Sequence, residues 1–180
     1  MLETDVLVEY PCLPEDRETI VHVLIKLETD PLQESRERLP LNVALVLDRS
    51  GSMSGGKLDS TKKAAKHLID RLQKEDKISI VVYDDTVDVL SPPVDGSQKD
   101  RLAQALNGVT EGGSTNLSGG WLSGLSLVGR SLSEQRLHRV LLLTDGMPNA
   151  GVMDHAGLIS IGTRHLEKGI HTTTLGFGAD

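Results

Sequence analysis

Four short apolar runs, separated by stretches of helical periodicity, restrict the possible folds of this 180-residue chain more than any other feature. The runs are "LNVALVL" (41–47), "KISIVVY" (77–83), "RVLLLTD" (139–145) and "IHTTTLGF" (170–177). Continuous apolar segments of this length predict strands buried on both faces, as in a parallel sheet covered by helices. Between the first two runs, Leu58, Thr61, Ala65, Leu68 and Leu72 recur at helical spacing. Leu117, Trp121, Leu125, Val128 and Leu132 do the same ahead of the third. A weaker helix is expected over 98–107, and another over 154–168, where Asp154 caps the start and Gly169 ends it. "TVDVL" (86–90) reads as a short strand hairpinned onto its predecessor. Together these elements predict an α/β domain with a doubly wound, mostly parallel central sheet, one short antiparallel edge strand and helices on both faces. Aromatic residues make up only 2% of the chain, so Val, Leu, Ile and Ala must build the core.

Residues 1–39 fall outside this alternation. "ETIVHVLIKLET" (18–29) reads as a strand that either pairs at the sheet edge or belongs to a neighbouring β-rich domain. The charged segment 30–40, bracketed by Pro31 and Pro40, reads as a linker leading into a main domain over 40–180. A formal net charge of -7 argues against a nucleic-acid partner. The lone Cys12 gives no internal disulfide and no C-x-x-C metal spacing, which is compatible with a reducing cytoplasm. "MLETDVLVEY" lacks the features of a signal peptide, and no window reaches the roughly 18 apolar residues of a spanning helix.

In a doubly wound sheet the ligand site lies beyond the carboxyl ends of the strands. Asp48, Asp145 and the loop "EGGSTNLSGG" are all expected at that rim. The first loop, "DRSGSMSGGKL", admits two readings. Gly51, Gly56 and Lys57 reproduce most of a phosphate-binding loop at 51–57, which would make the chain a Mg²⁺-dependent nucleotide-binding phosphohydrolase. Leu58, however, stands where that motif needs a Ser or Thr hydroxyl for the metal. The other reading lacks no atom: Asp48, Ser50 and Ser52 place three side-chain oxygens on one turn, part of a shell for a hard divalent cation.

Each feature has a plainer explanation when taken singly. Asp48 with Ser50, or Thr115 and Asn116, can cap a helix, and Asp145-Gly146 is a turn signal. Asn149 is read as turn chemistry, Lys57 as a solvated residue at a helix start, and Asp85 as the opener of a hairpin. None of the six His residues forms a zinc-binding pattern. Ser50 and Ser52 are the only nucleophiles expected at the rim, and no His lies near them in sequence, so no catalytic residue is assigned.

"DRSGSM", "GGSTN" and "TDG", in that order, resemble the metal-ion-dependent adhesion site (MIDAS) of von Willebrand factor A domains over roughly residues 40–180. With the flanking strand and linker, the chain most resembles bacterial members related to the inter-alpha-trypsin inhibitor heavy chains. The resemblance implies a Rossmann-like fold and a metal site in which Ser50 and Ser52 ligate directly. Asp48 would act directly or through water, Thr115 from the second loop, and Asp145 from the third, commonly through water. It further implies Mg²⁺, with Mn²⁺ or Ca²⁺ as alternatives, an open position filled by Asp or Glu of a partner protein, and an adhesion or scaffold role without catalysis. It also implies a further helix and strand after "IHTTTLGF", so this chain is expected to be a fragment or a shortened domain.

Overall fold

The protein is described by a computed structural model covering residues 2–8, 21–29, 38–146 and 148–178. Two units separate at the chain level, Met1–Arg38 and Leu39–Asp180. In the first, β1 (Leu2–Val8) and β2 (Val23–Thr29) form an antiparallel pair. The register sets Thr4 and Val6 against Leu27 and Ile25 on one face, while Asp5 pairs with Lys26 on the other. The strand expected at 18–29 therefore pairs with β1 and not with the central sheet. Residues 18–20 of that expectation, and 30–37 of the linker, lie outside the described residues.

In the second unit β3 (Leu41–Asp48) takes the centre of a five-stranded sheet, with β4 (Lys77–Tyr83) and β6 (Leu137–Thr144) parallel on either side. β5 (Val87–Asp95) and β7 (Ile170–Gly176) are the edges, giving the order β5-β4-β3-β6-β7. β7 runs parallel to β6, and β5 runs antiparallel to β4. Because side chains alternate across a strand, β3 feeds two cores. Val43, Leu45 and Leu47 pack with α1 (Lys57–Asp70) and α2 (Lys99–Asn107) on one face. Ala44 and Val46 pack with α3 (Leu117–Gly129) on the other, where Leu158 and Ile161 of α4 (His155–Leu166) join them. α3 lies flush against the strands because Gly124 presents no side chain there; a Cβ at that position would strike Val46.

Four details differ from the sequence reading. β5 extends to Asp95 and carries two register irregularities, one around Leu90 and one at Pro92 and Pro93, which cannot donate ladder hydrogen bonds. Leu132 lies beyond the end of α3 and is 44% exposed. β7 is not a buried strand: only Ile170 is buried, because β7 is outermost and the neighbouring α4 itself has no buried residue. β1 was not anticipated, since acidic Glu3 and Asp5 interrupt its apolar residues. Among the described residues no helix is long and apolar enough to cross a membrane.

Candidate functional site

Three loops meet where β3, β4 and β6 end, and backbone hydrogen bonds tie them together. The Gly51 amide of the first loop donates to Gly113 O of the second at 2.9 Å, and Gly112 N returns a bond to Arg49 O at 2.8 Å. Thr115 N donates to Asn149 Oδ1 of the third loop at 2.6 Å, while Asn149 N and Ala150 N both donate to Thr115 O. This close approach needs glycine in the second loop, because a Cβ on Gly112 would overlap the Asp84 carboxylate.

The side chains continue the ties. Asp48, at 0% exposure, accepts from Ser50 N on Oδ1, and from Thr144 Oγ1 (2.8 Å) and Tyr83 OH (3.2 Å) on Oδ2. Its charge is thus shared with neighbours on both flanking strands, the condition under which a buried carboxylate is tolerated. The Ser50 and Ser52 hydroxyl oxygens lie 3.0 Å apart, and Ser52 Oγ donates to Asp145 Oδ1 at 3.0 Å. Because that proton points at Asp145, Ser52 accepts from Ser50. Lys57 Nζ reaches Asp145 Oδ2 at 3.1 Å, so it is an ion-pair partner at the rim and not the solvated lysine expected from sequence. Thr115 is buried, and its hydroxyl has no hydrogen-bond partner among the described residues. Asn116 separately caps α3 by accepting from Gly119 N.

A second polar cluster braces the first loop from the side. Arg49 bonds Asp84, Thr86 and Asp88 through its guanidinium. Burial pushes the Asp84 carboxyl up, but bonds from the Thr86 amide and hydroxyl and from Arg49 outweigh it and hold the group below its usual value. Burial likewise works against the Arg49 cation, and Asp84 and Asp88 overcome it, leaving the guanidinium raised. Burial, reinforced by the Asp48 charge, pushes the Tyr83 phenol up, so it stays protonated and able to donate. It is Asp84, not Asp85, whose carboxylate turns the hairpin.

Sequence reasoning missed Tyr83, Thr144, Lys57 and Asn149. Thr144 directly precedes Asp145 and Tyr83 ends its strand opposite Asp48, signals visible only once strand register is known. Leu58, the residue that weakens the phosphate-loop reading, is buried in the α1 core. His138, the buried histidine, faces Asn42 Nδ2 and bonds to Ser133, far along β6 from the rim.

Among the described residues no group of three or more His, Cys, Asp or Glu side chains is placed to hold a metal. Any cation at this rim would rest on hydroxyls and two carboxylates. The donor chemistry fits a hard ion that keeps water ligands, for Asp48 has little lone-pair capacity left while the Ser50, Ser52 and Thr115 oxygens retain theirs.

Residues 43–147, more than half of the chain, match the von Willebrand factor type A domain. The uncharacterized Synechocystis protein sll0103 is 34% identical over 141 residues, covering 78% of this chain and 33% of that protein. Human inter-alpha-trypsin inhibitor heavy chain H3 is 31% identical over 121 residues, covering 63% and 14%. The chain therefore spans a third or less of the length of these relatives. Among solved structures, a von Willebrand factor type A protein from Catenulispora acidiphila superposes with a TM-score of 0.66 at 20% identity, covering 99% of this chain and 41% of that one. The manganese-loaded TRAP protein of Plasmodium vivax gives 0.64 at 18%, covering 78% and 58%. Given the matched profile and a central sheet of the same architecture, this chain belongs to the von Willebrand factor type A domain family.

Proposed function

We propose that the chain is a divalent-metal-dependent protein-binding module. Ser50, Ser52 and Thr115 would hold the cation directly through hydroxyl oxygens, with Asp48 and Asp145 acting through water. The observation that carries this reading is the division of labour at the rim. Of the two candidate carboxylates at the rim, Asp48 is fully buried and spent on internal hydrogen bonds, which leaves neutral oxygens as the main available donors. A doubly charged ion held mainly by neutral groups keeps a strong attraction for an outside carboxylate, so the partner supplies Asp or Glu. Mg²⁺ is the expected ion, with Mn²⁺ and Ca²⁺ as alternatives. The manganese carried by the TRAP neighbour, on the same fold, supports a divalent ion at this rim. The role is adhesion or scaffolding, with no catalytic residue.

Calorimetric titration tests the reading. Mg²⁺ is expected to bind the wild type and to lose that binding in Thr115→Ala, with the circular dichroism spectrum unchanged. Absence of metal binding to the wild type overturns the reading, as does metal-dependent ATP or GTP binding that Lys57→Ala removes.

A further inference from the structure

We infer that Lys57 sets the charge of the candidate metal site, weakening its hold on the cation and strengthening its hold on a partner's carboxylate. The inference rests on the metal-binding reading above and adds a residue that the five oxygen donors do not include.

The geometry is a short relay. Ser50 Oγ lies 3.0 Å from Ser52 Oγ, Ser52 Oγ lies 3.0 Å from Asp145 Oδ1, and Asp145 Oδ2 lies 3.1 Å from Lys57 Nζ. One carboxylate is therefore divided between a proposed ligand and a fixed ammonium. The Asp145 side chain is only 10% exposed and that of Lys57 34%, so solvent screens their interaction only in part. Lys57 is the first residue of α1, whose backbone fixes where its side chain starts.

The charges then settle what Lys57 does. Asp48 and Asp145 balance a doubly charged ion, and Lys57 leaves the loaded site with one positive charge in excess. The excess is local to the shell: Arg49 with Asp84 and Asp88 leaves one net negative charge beside the first loop, engaged in its own ion pairs, and the carboxylates of Asp85 and Glu111 are exposed and screened by solvent. An ammonium beside the site repels a cation entering it and attracts an anion that binds afterwards. Removing it must move the two affinities in opposite directions. A purely structural role for Lys57 moves them together, because a distorted shell holds both ion and partner less well.

The test uses Mn²⁺ as the metal and sodium acetate as the carboxylate, in wild type, Lys57→Met and Lys57→Arg. Calorimetry reads the metal affinity. Paramagnetic broadening of the acetate methyl resonance reads carboxylate at the bound ion. Thermal melts of the metal-free proteins check that each variant folds. Lys57→Met is expected to tighten Mn²⁺ by about three- to tenfold and weaken acetate by a similar factor, as for one charge at close range in partly screened surroundings. Lys57→Arg, which keeps the charge, is expected to stay near the wild type in both. Affinities that shift in the same direction, or stay unchanged while the wild type binds Mn²⁺, overturn the role of Lys57 and leave the metal-binding reading standing. A wild type that binds no Mn²⁺ overturns both.

Discussion

The half of the sheet around β3 and β4 and the margin formed by β7 and α4 end up in opposite states of burial. On β3 every residue from Asn42 to Asp48 is buried, and on β4 every residue from Ile78 to Tyr83. On β7 all but Ile170 are exposed, and α4 buries none of its residues. The difference lies in position. A central strand is covered by helices on both faces and paired on both edges, whereas an edge strand depends on whatever lies outside it. The other edge, β5, is blunted by two register irregularities and by Pro92 and Pro93, common devices for protecting an open edge. β7 has neither device. The rim that holds Asp48 and Ser50 thus sits on the buried half of the sheet.

Substitutions can break or sharpen this contrast, and the largest effect is expected in the middle of β3. Leu45→Ala, at a fully buried side chain, should lower stability by about 3 kcal/mol in urea unfolding. Gly124→Val follows at about 2 kcal/mol, since the added side chain strikes Val46 and must push α3 off the sheet. Asp84→Asn should cost about 1 kcal/mol near neutral pH by removing the charge that Arg49 and Thr86 bind. The depressed native value of Asp84 fixes the sign of its pH dependence. Its contribution is present above the ordinary carboxylate range and is lost as pH falls through the native value, so wild type and Asp84→Asn should converge in strong acid. Thr173→Val, exposed on β7, should change stability by less than about 0.5 kcal/mol. A loss at Thr173 comparable to that at Leu45 would erase the distinction between the two halves.

The same contrast explains what could be read in advance. Element order and type were legible because apolar runs and helical periodicity depend on local sequence, and the ordered motifs "DRSGSM", "GGSTN" and "TDG" marked the three loops that the structure joins. The exposure of β7 was not legible in its own residues, and only the resemblance, which implies a further helix and strand after it, bore on it. "IHTTTLG" carries the β-branched residues of an inner strand, and nothing within it records whether a neighbour lies on the far side. The ties between loops were hidden for a related reason. Asn149 to Thr115 and Lys57 to Asp145 join residues 34 and 88 positions apart, and their pairing depends on strand order and side-chain reach. Asn149 after a proline looks like turn chemistry until Thr115 is placed beside it.

Asp48 carries one more consequence. Its Oδ2 oxygen accepts from Tyr83 on one neighbouring strand and Thr144 on the other, so a single buried atom indexes three parallel strands against each other. Sliding any one of them by a residue, about 3.3 Å, would break at least one of these bonds and strand a charge in the core. The alignment of the loops at the rim is therefore decided when β3, β4 and β6 pair, before anything binds there.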